Sequence, residues 1–303
     1  MQSRRSIAAT LGSVPFLIFV LGLSTLAYAS NNQFVSFDFP GSTDTEATAI
    51  TPSGEIVGRY FSADGRQHGF VLSKGILSSL DVPGSILTDA AWVNARGDIV
   101  GGYVLQGESQ GHAYVLSHGT FTTIDFPATG DNTTGFGISN AGDVVGVGFS
   151  DGDFGGGRGY LFRHGQFTII DFPGAKGTFP TMVIDSRRIV GAYLDTSLTF
   201  HGFFLSAGNF ATIDVPNSTF TWITGINPAG DIVGFYNSQD GKQHGFVLTK
   251  GKFITIDIPS AISTEANGID PQGDVVGRYV TPDGHTHAYF FGKGHIVAGV
   301  RWQ

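Results

Sequence analysis

Apolar residues in this chain come in short runs that alternate with polar positions, and no run repeats at the three-and-four spacing of a helix. One set of four is Thr45 to Ile50, Ile56 to Phe61, Gly69 to Leu72 and Leu77 to Val82. The connectors after the first three are Pro52-Ser53-Gly54, Ala63-Asp64-Gly65 and Lys74-Gly75, which supply the positive φ that tight hairpins need. Asp240-Gly241 and Asp283-Gly284 repeat the second of these turns. The pattern predicts four antiparallel strands, a to d, joined as a meander. An Asp-x-Pro mark ends the fourth run, because proline brings no N–H to continue the ladder, and a polar segment such as 84–87 leads away.

The same phrase is spelled six times, 43 to 46 residues apart. Its Asp-x-Pro marks begin at Asp38, Asp81, Asp125, Asp171, Asp214 and Asp257. A Val-Gly mark follows each, ending at Gly58, Gly101, Gly146, Gly191, Gly234 and Gly277. Units of this length bury their apolar faces only against one another, and radially arranged four-stranded meanders are the blades of a propeller. The expected fold is all-β: a six-bladed β-propeller of four-stranded antiparallel blades. Strand a, rich in small residues such as Ala47, Ala49, Gly137, Gly225 and Gly268, belongs at its crowded centre.

Hairpin register sharpens this expectation. If Lys74-Gly75 is a two-residue turn, Ser73 faces Ile76 and His68 stands opposite Asp81. Equal spacing sets His112 against Asp125, Arg158 against Asp171, His201 against Asp214 and His244 against Asp257. The last unit breaks the rule, since His287 falls opposite Val300 while Asp38 has no local cation. Both find partners if the N-terminal strand Phe34 to Phe39 serves as strand d of the sixth blade and closes the ring. The rival is that Ile296 to Val300 takes this place. Arg158 can pair with a carboxylate but cannot ligate a metal through a free lone pair, so the set is read as structural. A glycine six times at one point of strand b is read as room for an aromatic ring of a neighbouring blade.

The N-terminal segment leads us to expect an extracytoplasmic protein. Arg4 and Arg5, an apolar stretch from Leu11 to Leu26 and Ala27-Tyr28-Ala29 read as a cleavable export signal over residues 1–29, with general secretion favoured over twin-arginine export. Residues 30–303 then form one domain. Losing two arginines with the signal turns the net charge of −8 into −10, which argues against nucleic acid or anionic lipid as a partner. The chain has no cysteine, so its core alone must hold it, and no second membrane span follows the signal. Glycine at 45 of 303 residues fits an all-β chain full of tight turns.

Candidate chemistry is sparse. No Gly-x-Ser-x-Gly or His-Glu-x-x-His occurs, and no catalytic residue, metal or cofactor is assigned. Gly155-Gly156-Gly157 lacks the strand-to-helix setting of a nucleotide loop, and Asp151 and Asp153 lack the further acid of a calcium loop. Ligand-binding candidates gather where strand d leads into strand a: Thr45, Glu46, Thr88, Asp89, Asp131, Phe220, Trp222, Thr264 and Glu265. Thr133, Thr178 and Thr221 complete the threonine set, for which capping of strand a is the simpler role. An acidic, hydroxyl-rich rim with aromatic residues suits a carbohydrate or a cationic peptide.

The phrases Phe-x-Thr-Ile-Asp-Phe-Pro, Gly-Asp-Ile-Val-Gly and His-Gly-Phe-Val-Leu resemble those of the HAF-type extracellular repeat family of bacterial exported proteins, over about residues 34–295. Departures are Arg158-Gly159-Tyr160 in the third unit and Arg187-Arg188 in the fourth. The resemblance implies an exported repeat protein of propeller form and carries over no catalytic residue. The expected function is a non-enzymatic binding or interaction module that presents one propeller face to a glycan or protein ligand, in the periplasm, at the cell surface or secreted. The alternative is a polysaccharide hydrolase or lyase using Glu46, Asp89, Asp131 or Glu265 as general acid or base, marked by two carboxylates roughly 5 to 9.5 Å apart in one pocket. A purely structural surface protein is the third reading.

Overall fold

The computed structural model describes residues 33–127, 132–150, 154–185 and 188–292, and each repeat there folds into a four-stranded antiparallel sheet. The first comprises Ser42–Ile50, Ile56–Ser62, Gln67–Ser73 and Ile76–Leu80, paired in chain order. The expected two-residue hairpin is present: Lys74 and Gly75 have φ of 51° and 78°, and Ser73 faces Ile76. In the second repeat strand a is broken into Ser85–Thr88 and Trp92–Val93. The export signal, the rival segment 296–300, Asp131, Asp151, Asp153 and Arg187 lie outside the described residues.

The sixth repeat supplies Ser263–Ile269, Val275–Val280 and Thr286–Gly292, and its fourth strand is Gln33–Phe37 from the start of the described chain. Phe37 faces Ala288, which brings Asp38 Oδ2 to 2.9 Å from His287 Nδ1. Phe37 is buried among Ala47, Phe70 and Ala288, so this strand is part of the core.

Two kinds of latch recur. The buried threonine at the start of each strand a accepts a hydrogen bond from the backbone N–H of the middle residue of the preceding Asp-x-Pro mark, from Phe39 to Thr45 at 3.0 Å through to Ile258 to Thr264 at 3.1 Å. Three residues further on, a side chain donates to the next repeat. Thr48 reaches the carbonyl of Ala90, Thr181 that of Ile223, and Thr224 that of Ala266. Asn267 makes the corresponding bond to Ala47 O at 3.0 Å, so the sixth repeat meets the first as the first meets the second.

Six of the seven rings under 2 % exposed among the described residues stand two residues past the His or Arg mark, Phe70, Tyr114, Tyr160, Phe203, Phe246 and Tyr289; the seventh is Phe179. Full burial of one such ring stabilises by about 1.5 to 3 kcal/mol. The strand-b glycine makes room for partners within its own sheet, which corrects the expected neighbouring-blade ring. A Cβ on Gly58 would stand 2.0 Å from Glu46 O and 2.7 Å from the Phe70 ring. Close approach between repeats occurs instead at the glycine after the histidine, where a Cβ on Gly202 would stand 2.8 Å from Ile223 of the next repeat.

Candidate functional site

The crowding at the strand-b glycine has a cause that positions the site. In five repeats the pairing of strands a and b skips one residue: Thr48, Phe136, Thr181, Thr224 and Asn267 are the residues passed over. These are β-bulges, which bend a strand and re-aim a side chain. With Ala91 of the second repeat, the bulged residues come together around one cavity of about 260 Å3. Glycine on strand b is what lets the carbonyl two residues before the bulged one, such as Glu46 O ahead of Thr48, come so near.

The walls of that cavity differ on its two sides. Strands a and b of the sixth, first and second repeats give carboxylates and guanidinium groups: Glu265, Arg278, Glu46, Arg59 and Asp89. Glu46 faces Arg59 in register, and Glu265 faces Arg278. Arg59 donates from Nη2 to Glu46 Oε2 at 2.9 Å and from Nη1 to Asp89 Oδ2 at 3.4 Å, spanning two repeats. Arg278 donates from Nε to Glu265 Oε2 at 2.8 Å and lies 3.8 Å from Glu46, which also accepts from Asn267 at 3.3 Å. The opposite wall is aromatic, with Phe136, Trp222 and Phe235. Phe220 stands behind it: its ring lies within 10° of the Trp222 plane and 22° of the Phe235 plane.

Charge in this cavity is unevenly compensated, with three carboxylates to two guanidinium groups. Asp89 shares its arginine with Glu46, and its Oδ1 is buried with no hydrogen-bond partner among the described residues. Burial, opposed by Arg59 and reinforced by Glu46, raises its pKa from 3.8 to about 6. Burial likewise pushes the Glu265 carboxyl up, against the pull of Arg278.

Of the ligand-binding candidates, Glu46, Asp89, Trp222 and Glu265 line this cavity. Thr45, Thr88 and Thr264 do not; they are at most 2 % exposed, and their hydroxyls hold the Asp-x-Pro turns, as do those of Thr133, Thr178 and Thr221. That removes the threonines from a ligand-facing rim and gives them the capping role. Residue-by-residue reading of the sequence passed over Arg59, Arg278, Asn267 and Trp92. A signal was available: the residue after the strand-b glycine is Arg59, Gly102, Val147, Ala192, Phe235 or Arg278, a position free to vary where its neighbours are fixed.

The acid–base pairs lie apart from the cavity. Nδ1 to carboxylate distances are 2.9 Å for His68 and Asp81, 3.0 Å for His112 and Asp125, 2.8 Å for His201 and Asp214, and 2.7 Å for His244 and Asp257. Arg158 meets Asp171 at 3.1 Å. In the five histidine repeats a strand-b tyrosine ring lies on the imidazole, as Tyr60 does on His68 with centroids 5.0 Å apart. The third repeat has Gly148 where that tyrosine would be, and there the residue it faces is Arg158. The far nitrogen is also engaged, by Ser62 for His68 and by Glu108 for His112. Among the described residues no three His, Cys, Asp or Glu side chains form a metal-binding group.

Asn132, in a glycosylation tripeptide, accepts at Oδ1 from Gly111 N–H at 2.8 Å and is buried, so its side chain serves the fold.

No protein-family model matches this chain, and no curated protein matches it in sequence. Solved structures do. AofleA from Arthrobotrys oligospora is 15 % identical over 88 % of each chain, with a TM-score of 0.58. The β-propeller domain of the Trilobed protease from Pyrococcus furiosus is 12 % identical over 82 % of this chain and 81 % of that one, with a TM-score of 0.51. A fungal lectin of Aleuria aurantia, described as a six-bladed β-propeller with a fucose recognition mode, aligns over 87 % of this chain and 92 % of that one at 12 % identity and a TM-score of 0.49. At these identities the likeness to the first two speaks for the fold alone, which is an all-β propeller.

Proposed function

We propose that this protein is an exported, non-enzymatic carbohydrate-binding module of the HAF-type repeat kind: a six-bladed ring, closed by its N-terminal strand, that holds its ligand at the axis. The pairing of Gln33–Phe37 with Thr286–Gly292 and the Asn267 latch onto Ala47 support the closed ring. The carrying observation for binding is the two-sided cavity. A sugar ring has an apolar face of C–H groups and a rim of hydroxyls. Trp222 and Phe235 match the first, while carboxylates and guanidinium groups already fixed by one another match the second without having to be ordered on binding. A purely structural surface protein has no need of such a cavity.

A glycan array probed with residues 30–303, with Trp222→Ala alongside, tests the proposal. Retention of a defined glycan set, lost in the variant, is the expected result. Failure to retain any glycan, with a protein recovered by pull-down instead, overturns it.

The meeting of Glu46, Asp89 and Glu265 in one cavity favours a second reading, a polysaccharide hydrolase or lyase with Asp89 as proton donor. Glu46 and Glu265 are each bound by an arginine, which disfavours either as its partner base. New reducing ends or unsaturated products from the glycans bound on the array would favour the enzyme.

A further inference from the structure

The axis is blocked just beneath the cavity. Four residues past each latch threonine stand Ala49, Trp92, Gly137, Met182, Gly225 and Gly268. Four of these carry at most a methyl group, and Trp92 and Met182 fill the layer they leave. Trp92 belongs to the second repeat, yet its indole reaches the fifth: a Cβ on Gly225 would stand 2.7 Å from Trp92 Cη2. Trp92 is 5 % exposed, and it lines both the candidate cavity and a smaller one of about 70 Å3 on its other side, bounded by Pro52, Asn140, Pro228 and Pro271 of the a-to-b turns. The indole is therefore a floor between two spaces that would otherwise join.

The walls above this floor do not follow the repeat. Directly after the latch threonine stand Glu46, Asp89, Thr134, Phe179, Trp222 and Glu265, of which the three acids and Trp222 line the cavity; with Phe136 and Phe235 beside Trp222, charge occupies one arc and aromatic rings another. Six equivalent sites would need the same residues six times. A polar arc facing an aromatic one makes a single site with one orientation. A volume of about 260 Å3 is on the order of nine water molecules at roughly 30 Å3 each, which suits one sugar ring and not a chain.

We propose that the cavity is a blind socket for the terminal monosaccharide of a glycan, one per molecule, entered end-on and floored by Trp92. This rests on the carbohydrate reading of the same site. A chain cannot thread through, because the indole fills the axis. The socket disfavours an anionic sugar, since both guanidinium groups are already engaged by carboxylates that outnumber them. Trp92 is thus the residue that sets how deep the terminal ring sits.

The test uses the whole mature chain and the glycans retained on the array. Titration calorimetry should give one site per chain, and the free monosaccharide should compete with the glycan that ends in it. Glycans with the same sugar capped at its far end, or ending in a uronate, should bind at least tenfold more weakly. Trp92→Phe should keep its cooperative melt and lose about tenfold in monosaccharide affinity. Several sites per chain, equal binding of capped glycans, or unchanged affinity in a folded Trp92→Phe overturns the socket and leaves the carbohydrate reading standing. If Trp92→Phe does not fold, stoichiometry and the capped glycans decide on the unaltered protein. Retention of no glycan at all refutes the carbohydrate reading itself.

Discussion

Replacing Asp89 by asparagine should stabilise the protein, and only above the pH at which Asp89 ionises. Its carboxyl has a pKa of about 6 in the folded chain against 3.8 for the free side chain, because burial penalises the charge more than Arg59 offsets it. A group whose folded value lies above its unfolded one favours folding most below the unfolded value, and that contribution is lost as pH rises through the folded value. Each pH unit between the two is worth about 1.4 kcal/mol, so ionised Asp89 costs the fold up to about 3 kcal/mol at pH 8. Asparagine carries no such cost, but it gives up the attraction to Arg59 Nη1 at 3.4 Å, which leaves a gain of about 1 to 3 kcal/mol. Urea denaturation of both proteins at pH 4.5 and pH 8 measures this. The variant should be more stable at pH 8, with most of the difference gone at pH 4.5. A variant less stable at pH 8, or a difference independent of pH, would show that Arg59 satisfies Asp89 after all.

Three further outcomes follow from the same geometry. Gly58→Ala puts a Cβ 2.0 Å from Glu46 O, so it should lower stability by about 3 kcal/mol or more, read as a fall in melting temperature. Thr88→Val leaves the Val82 N–H buried without its acceptor and should cost about 1 to 3 kcal/mol in urea denaturation; an unchanged midpoint would mean that the latch is idle. For His112, burial lowers the pKa but the hydrogen bonds to Asp125 and Glu108 outweigh it, so an NMR titration should place it above 6.5 and Asp125→Asn should bring it down. The stability from this pair is present below pH 6.5 and fades as pH climbs through the raised value.

What the sequence made legible was whatever the repeat had to preserve. Strand order, the Lys74-Gly75 type of hairpin and the register of His68 against Asp81 follow from local turn chemistry and period-two pairing, and each was readable from a few residues. Even the meeting of Asp38 with His287 could be read, because an unpartnered aspartate at one end matched an unpartnered histidine at the other. The bulge was not readable. An extra residue in strand a leaves no mark in composition, and its trace, a glycine on strand b six times over, has a simpler explanation in packing. Without the bulge nothing marks Thr48 or Asn267 in the sequence, whereas the threonines three residues earlier are constant. Constancy across repeats marked scaffold: Thr45, Thr88 and Thr264 recur because every blade needs its turn held.

The polar arc of the cavity has a further property that follows from its place in the chain. Glu265, Asn267 and Arg278 come from the sixth repeat, Glu46 and Arg59 from the first, and Glu46 accepts from Asn267 and lies near Arg278 across the junction. The sixth sheet is in turn completed by Gln33–Phe37, which immediately precedes the first repeat. The charged half of the site is therefore assembled only when both ends of the described chain are in place. The aromatic half, from the third and fifth repeats, needs no such junction. Arg278 and Asn267 meet Glu46 between the sixth and first repeats, while Trp222 and Phe235 lie with Phe220 inside the fifth, so the charged arc depends on the meeting of those two repeats in a way that the aromatic arc does not. The strand that completes the fold is in this sense also a support of the site, although none of its residues lines the cavity.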